Sequence, residues 1–321
     1  MSDSRPTSKL AFTVRLIVAV VVPGLLLWII ARLIVGQWSE IRNHEWHPVY
    51  WAILVATAVG WVDFILINQL WRRVLIIMSG RDLPFLTAYR IAALSNLGKY
   101  LPGKVWAFLG MMFMLRNEGY GAHLAFGSTI WHQALTILAG LAFTGAIIGT
   151  EFTARIPLWV IIAAVASCLV MLHPSVLTRL MNFGLRILRR DPVNITLPFS
   201  KGLMLFVLYG LAWLLYGSSF WFLVWGLGFP PGPFWVVTAS FAAAYLIGFL
   251  ALFAPGGVGV REGILVLLLS PIYGAGVAAL ISVVSRVWMT ALEVVQLTPI
   301  AFRRDTWRSF SSRGGKEQAR Q

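Results

Sequence analysis

The chain has 321 residues, of which 59% are hydrophobic and 12% charged, with a formal net charge of +14. A mean hydropathy of +0.79 excludes an ordinary soluble globular domain. Charge of that size could point to nucleic acid, but the cations cluster beside hydrophobic runs, the positive-inside pattern of a membrane protein, so no nucleic-acid partner is expected. The single cysteine, Cys168, lies in an apolar run and leaves no disulfide framework and no cysteine-based metal site.

Residues 1–10 are polar, with Arg5 and Lys9, and read as a cytoplasmic tail. Residues 11–35 form an apolar run that is too long for a signal-peptide core and lacks a small-residue cleavage site, so they read as a first span. Residues 36–48 show little positive bias and should be external. The second span, 49–77, ends in Arg72-Arg73, with Arg81 and Arg90 beyond, which returns the chain to the cytoplasm.

Residues 86–115 hold the first interruption, Asn96-Leu97-Gly98-Lys99-Tyr100-Leu101-Pro102-Gly103-Lys104. Neither flank, 91–101 or 104–115, can cross roughly 30 Å at about 1.5 Å per helical residue, so a re-entrant hairpin is predicted. Residues 124–149 and 157–173 cross out and back. The connection at 174–202 carries Arg179, Arg186, Arg189, Arg190 and Lys201 against Asp191 and is placed in the cytoplasm.

Residues 203–226 and 234–253 make the next pair of crossings, and the second interruption follows: Ala254-Pro255-Gly256-Gly257-Val258-Gly259-Val260-Arg261-Glu262-Gly263. A short apolar piece at 264–270, a break at Pro271-Ile272-Tyr273-Gly274 and a long helix at 276–301 complete the membrane part. The tail from 303 is basic and rich in Ser and Gly, which reads as disordered and cytoplasmic.

The expected fold is therefore all-α: a polytopic integral membrane domain over 11–302, flanked by tails at 1–10 and 303–321. It should hold about six full spans plus two broken or re-entrant segments, eight membrane segments in all. Broken segments at corresponding places in two halves hint at an inverted repeat with a substrate site between them.

No nucleotide, dinucleotide or hydrolase motif occurs, and the five histidines are scattered. Neither an enzyme, a metal site nor a cofactor is expected. The candidate chemistry lies instead in charges at membrane depth, each of which costs at least ~2.5 kcal/mol at a helix centre and needs a partner or water. Asp63 sits mid-span; Lys99 and Lys104 belong to the first interruption, Arg261 and Glu262 to the second; Arg286 lies inside the last helix, with Glu293 seven residues on.

Two readings of these charges are open: mutual pairs that lock the bundle, or a site. Pro102-Gly103 and Pro255-Gly256-Gly257 free backbone N–H groups beside Lys104 and Arg261, which suits an anion such as a lipid phosphate. The first-loop lysines could equally snorkel to head groups. The stripe Tyr209, Trp213, Tyr216, Phe220 has helical spacing; it reads as lipid-facing or interhelical packing ahead of a groove for a lipid tail.

Asn96…Leu101-Pro102-Gly103-Lys104, then Pro255-Gly256-Gly257-Val258-Gly259…Glu262 and Arg286, resemble the lysylphosphatidylglycerol synthase transmembrane-region family, over roughly 10–302. That family includes the membrane part of the multiple peptide resistance factor. The resemblance implies a bacterial plasma-membrane protein with re-entrant segments that moves an anionic, aminoacylated or polyprenyl-linked lipid between leaflets. By position, Pro102, Gly103, Lys104, Pro255, Gly256, Gly257, Glu262 and Arg286 match. Many relatives carry an acidic-basic pair where this chain has His132-Gln133, which puts a charge relay there in doubt.

The chain stops after its last helix, so it is not expected to synthesise a lysyl-lipid itself. The leading expectation is a flippase for a membrane lipid with an anionic head group, held by Lys104 and Arg261, with Glu262 and Arg286 pairing. The alternative is a non-transporting scaffold or regulator of a lipid-linked glycosyltransferase or another cell-envelope pathway.

Overall fold

The computed structural model describes residues 47–100, 105–151, 158–187, 197–251 and 254–297, with isolated positions 28, 32, 35 and 36 before them. The expected first span at 11–35, both tails, and Pro102, Gly103 and Lys104 lie outside the described residues. Within them the chain is helical, without a strand. In chain order the helices are α1 (Tyr50–Ser79), α2 (Phe85–Asn96), α3 (Val105–Asn117), α4 (Ala122–Glu151), α5 (Leu158–Met171), α6 (Pro174–Ile187), α7 (Phe199–Gly226), α8 (Phe234–Leu250), α9 (Val260–Tyr273) and α10 (Ala275–Val295). Short 3₁₀ turns at Leu97–Tyr100 and Pro255–Gly257 mark the two interruptions.

Local sequence sets the helix ends. Pro84, Pro198 and Pro233 stand directly before α2, α7 and α8. A proline disfavours helical geometry in the residue before it, so none of these helices extends backward. Gly80 ends α1 in the left-handed region, its N–H donating to the Ile76 carbonyl. Four helices are long and apolar enough to cross a membrane by length and composition: α1, the Ala122–Gly145 part of α4, α7 and α10. The 14 residues of α5 reach about 21 Å, short of a bilayer core of about 30 Å.

α1 and α7 share the most extensive helix–helix face. They run antiparallel: the Val49 N–H donates to the Gly226 carbonyl at 3.0 Å, and the Trp51 and Trp225 rings meet edge-on at 4.6 Å. α4 and α8 pack beside them, and Trp131, Tyr209, Phe220 and Phe241 are fully buried in this centre. The Phe220 and Phe241 rings stack at 4.0 Å.

The order of elements recurs. A long helix, two short helices joined at a 3₁₀ turn, and a second long helix make up α1–α4, and the same order makes up α7–α10. α2 and α3, of 12 and 13 residues, lie side by side, with Gly98 against the Trp106–Ala107 backbone. At about 18–20 Å each they fold back rather than cross. The two 3₁₀ turns touch each other, so segments about 150 residues apart in sequence converge on one place.

The second interruption differs in detail from the sequence reading. Residues 260–263, read as loop, are the first turn of α9, and the apolar piece expected at 264–270 continues to Tyr273 through Pro271. That proline has no N–H to donate to the Leu267 carbonyl, and α9 ends two residues beyond it. Gly274, with φ 78° and ψ 157°, turns the chain into α10 instead.

Candidate functional site

Where the two interruptions meet, the bundle forms a half-open cavity of about 270 Å³. α1 contributes Asp63 and Asn68, the first 3₁₀ turn Lys99, α4 His132 and Gln133, α8 Tyr245, the second turn Gly256 and Gly257, α9 Arg261, and α10 Arg286 and Glu293. Polar and charged groups thus converge from both recurring halves on one chamber inside an otherwise apolar protein. Of the residues singled out in the sequence, Asp63, Lys99, Gly256, Gly257, Arg261 and Arg286 are on its wall.

The second interruption is built by glycine and by an ion pair. Gly256, Gly257 and Gly259 all hold positive φ, at 58°, 69° and 81°. Gly257 lies so close to Gly248 of α8 that a Cβ would come within 2.9 Å of the Gly248 carbonyl oxygen. Both conditions demand glycine. Glu262 then caps α9, its Oε2 accepting from the Gly259 N–H at 2.6 Å. Its other oxygen is 3.5 Å from Arg286 Nη1, which also donates to the Gly256 carbonyl at 3.0 Å. Glu262, 3% exposed, lies behind the wall and holds Arg286 and the break in register.

Lys99 ties the first interruption to α10, its Nζ lying 2.5 Å from Glu293 Oε1. Both side chains are mostly buried. Arg286 and Glu293, seven residues apart on α10, turn to different interruptions in the fold. Glu293 is a cavity residue that the sequence marked only as a buried charge.

Arg261 is different. It is 7% exposed, its guanidinium lies 4.6 Å over the Phe241 ring and 5.9 Å from the Tyr245 ring, and its Nη2 has no hydrogen-bond partner. Among the described residues no carboxylate pairs with it. On α1, the Asp63 Oδ1 is likewise buried without a partner. A buried ionic group normally finds a partner, because leaving it unpaired costs several kcal/mol, at least about 3 when a pair is broken. Among the described residues, Arg261 Nη2 and Asp63 Oδ1, both without a hydrogen-bond partner, thus belong to the wall of the same chamber.

The aromatic stripe on α7 is wholly interior: Tyr209, Trp213, Tyr216 and Phe220 are all buried. Interhelical packing is the correct half of the sequence reading, and lipid exposure is not. Trp213 and Tyr216 also reach the cavity wall. Tyr209 hydrogen-bonds His132 Nδ1 at 2.5 Å, and the Trp213 indole donates to the Thr136 carbonyl at 2.9 Å, so α4 and α7 are bridged by polar contacts beside the chamber. His132 and Gln133, noted in the sequence only as a departure, are wall residues. A histidine and a glutamine adjacent in an apolar span were the signal available for them.

The family model for the lysylphosphatidylglycerol synthase TM region matches residues 14–295. The chain belongs to that family. The match covers both interruptions, every helix described here and the cavity wall except Gln296. It marks the chain as a membrane protein in lipid handling, in agreement with its apolar helices. No curated protein matches the chain.

Proposed function

We propose that the protein is a lipid flippase of the bacterial plasma membrane, passing a phosphate-bearing head group between leaflets through the chamber where the two interruptions meet. The observation that carries this reading is the cation without a carboxylate: Arg261, buried, backed by Phe241 and Tyr245, with an unsatisfied donor in the chamber. A fully charged phosphate in hydrocarbon costs tens of kcal/mol by Born solvation. A polar path with fixed charges removes most of that barrier, and an arginine fork suits phosphate geometry.

Lys99 and Arg286 add positive potential, while Glu293 and Glu262 hold them in place. Lys104, outside the described residues, is kept from the sequence reading as a second cation for the phosphate. Asp63 offers an acceptor for an amine, which favours an aminoacylated lipid within the anionic class. The apolar flanks of the broken segments carry the acyl or prenyl chains. We read the recurring order of helices, with α1 and α7 antiparallel, as an inverted repeat, in which exchanging the roles of the halves alternates the side on which the chamber opens.

Purified protein in liposomes tests this. Fluorescent anionic and aminoacylated lipids should redistribute between leaflets faster than in protein-free vesicles, and Asp63→Asn should slow the amine-bearing lipid more than the anionic one. Redistribution at the protein-free rate for every lipid tried would leave the scaffold reading in its place. Sidedness has a separate check: cysteine labels at residues 40 and 185 should react from opposite faces.

A further inference from the structure

α6 is unlike the other helices among the described residues. Its 14 residues reach about 21 Å, too short to cross, and its main helix neighbour is α5. At 3.6 residues per turn, Ser175, Thr178, Arg179, Asn182 and Arg186 fall within an arc of about 100°, while Val176, Leu177, Leu180 and Phe183 take the other side. Leu177 is buried with Leu172 and Leu197 and pins the helix to the bundle. Leu180 and Phe183 are 53% and 63% exposed. An open groove runs along the helix between Val176, Leu180 and Phe183 and the arginines Arg179 and Arg186.

We infer that α6 lies in the membrane–water interface as a binding site for anionic phospholipid, with Leu180 and Phe183 seated among acyl chains and Arg179 and Arg186 on head-group phosphates. Three observations select a lipid surface as the occupant. The chain is a membrane protein, and in sequence this helix lies between the apolar helix α5 and the candidate span α7. The apolar residues left exposed are the large ones that insert at an interface. The segment 174–202 carries five arginines and lysines against one aspartate, complementary to an anionic leaflet, where each cation strengthens association about fivefold. This inference does not depend on the chamber: a protein that moves no lipid at all could still hold its surface helix in this way.

The test uses the full chain in vesicles, with Cys168→Ala as background and single cysteines introduced by Leu180→Cys or Ser175→Cys, each carrying an environment-sensitive fluorophore. In vesicles of phosphatidylcholine with phosphatidylglycerol, the label at 180 should be quenched by brominated acyl chains and spared by aqueous iodide, and the label at 175 the reverse. Removing phosphatidylglycerol, or introducing Arg179→Gln with Arg186→Gln, should weaken bromine quenching at 180 several-fold without unfolding the chain. Quenching at 180 that is indifferent to anionic lipid overturns the head-group assignment. A label at 180 shielded from both quenchers means that a second copy or another protein covers the face, and it overturns the proposal.

Discussion

Gly257→Ala separates backbone conformation from close packing at the second interruption, because Gly80→Ala provides a matched control. Both glycines hold nearly the same positive φ, 69° and 66°. A left-handed alanine costs roughly 1–2 kcal/mol at either site. At Gly80 the added Cβ meets nothing within 4 Å, so the cost ends there. At Gly257 the Cβ would lie 2.9 Å from the Gly248 carbonyl oxygen and 3.1 Å from its carbon, both backbone atoms that no rotamer change can move. Forced overpacking of that kind adds about 1–3 kcal/mol. Equilibrium unfolding in mixed micelles should therefore show Gly80→Ala losing about 1–2 kcal/mol and Gly257→Ala about 2–5 kcal/mol. Lipid redistribution should fall for Gly257→Ala alone, since α8 and α9 must separate around the chamber. Equal losses for the two variants would refute the close approach and, with it, the account of why this interruption is glycine-built.

Lys99→Met and Glu293→Gln should each destabilise by about 1–3 kcal/mol, below the roughly 3–5 kcal/mol of a fully buried pair because both side chains retain some exposure. The double variant should lose less than the sum, measured as a double-mutant cycle; strict additivity would deny the pair. Arg261→Gln should leave the thermal midpoint unchanged or raise it while slowing lipid redistribution at least tenfold, because a buried charge is removed along with the proposed phosphate ligand. A large drop in midpoint would make Arg261 structural. Tyr209→Phe should cost about 1–3 kcal/mol by leaving His132 Nδ1 without its hydrogen bond, and a His132→Leu, Tyr209→Phe double variant that loses the full sum of the two single variants would show that the contact contributes nothing.

Much of the architecture was legible from composition and from breaks in hydrophobic runs. The positions of Pro84, Pro198, Pro233 and Gly80 fix helix ends by local rules, and short flanks around Gly98 fix a hairpin by length alone. What sequence could not show was which charges meet. Lys99 and Glu293 are 194 residues apart, and no local pattern links them. Glu293 was visible as a buried charge, yet its partner depends on how α10 turns against the first interruption. Arg261 and Glu262 were legible as a charged pair of neighbours, but helical geometry sends them in different directions. One enters the chamber, and the other turns back to the Gly259 N–H and Arg286.

That divergence explains why two adjacent ionic residues follow an N-terminal glycine turn. A helix that starts buried leaves N–H groups that water cannot reach, so α9 needs an acceptor at its first turn. Glu262 meets that need and is itself balanced by Arg286, which in turn holds the Gly256 carbonyl. The break is thus electrically complete without Arg261. Adding Arg261 brings a desolvation cost with no structural return among the described residues, offset only in part by its stacking on Phe241 and Tyr245. The helix end is closed without Arg261, whose Nη2 is left with no hydrogen-bond partner, and it is on this residue that the proposed phosphate site stands or falls.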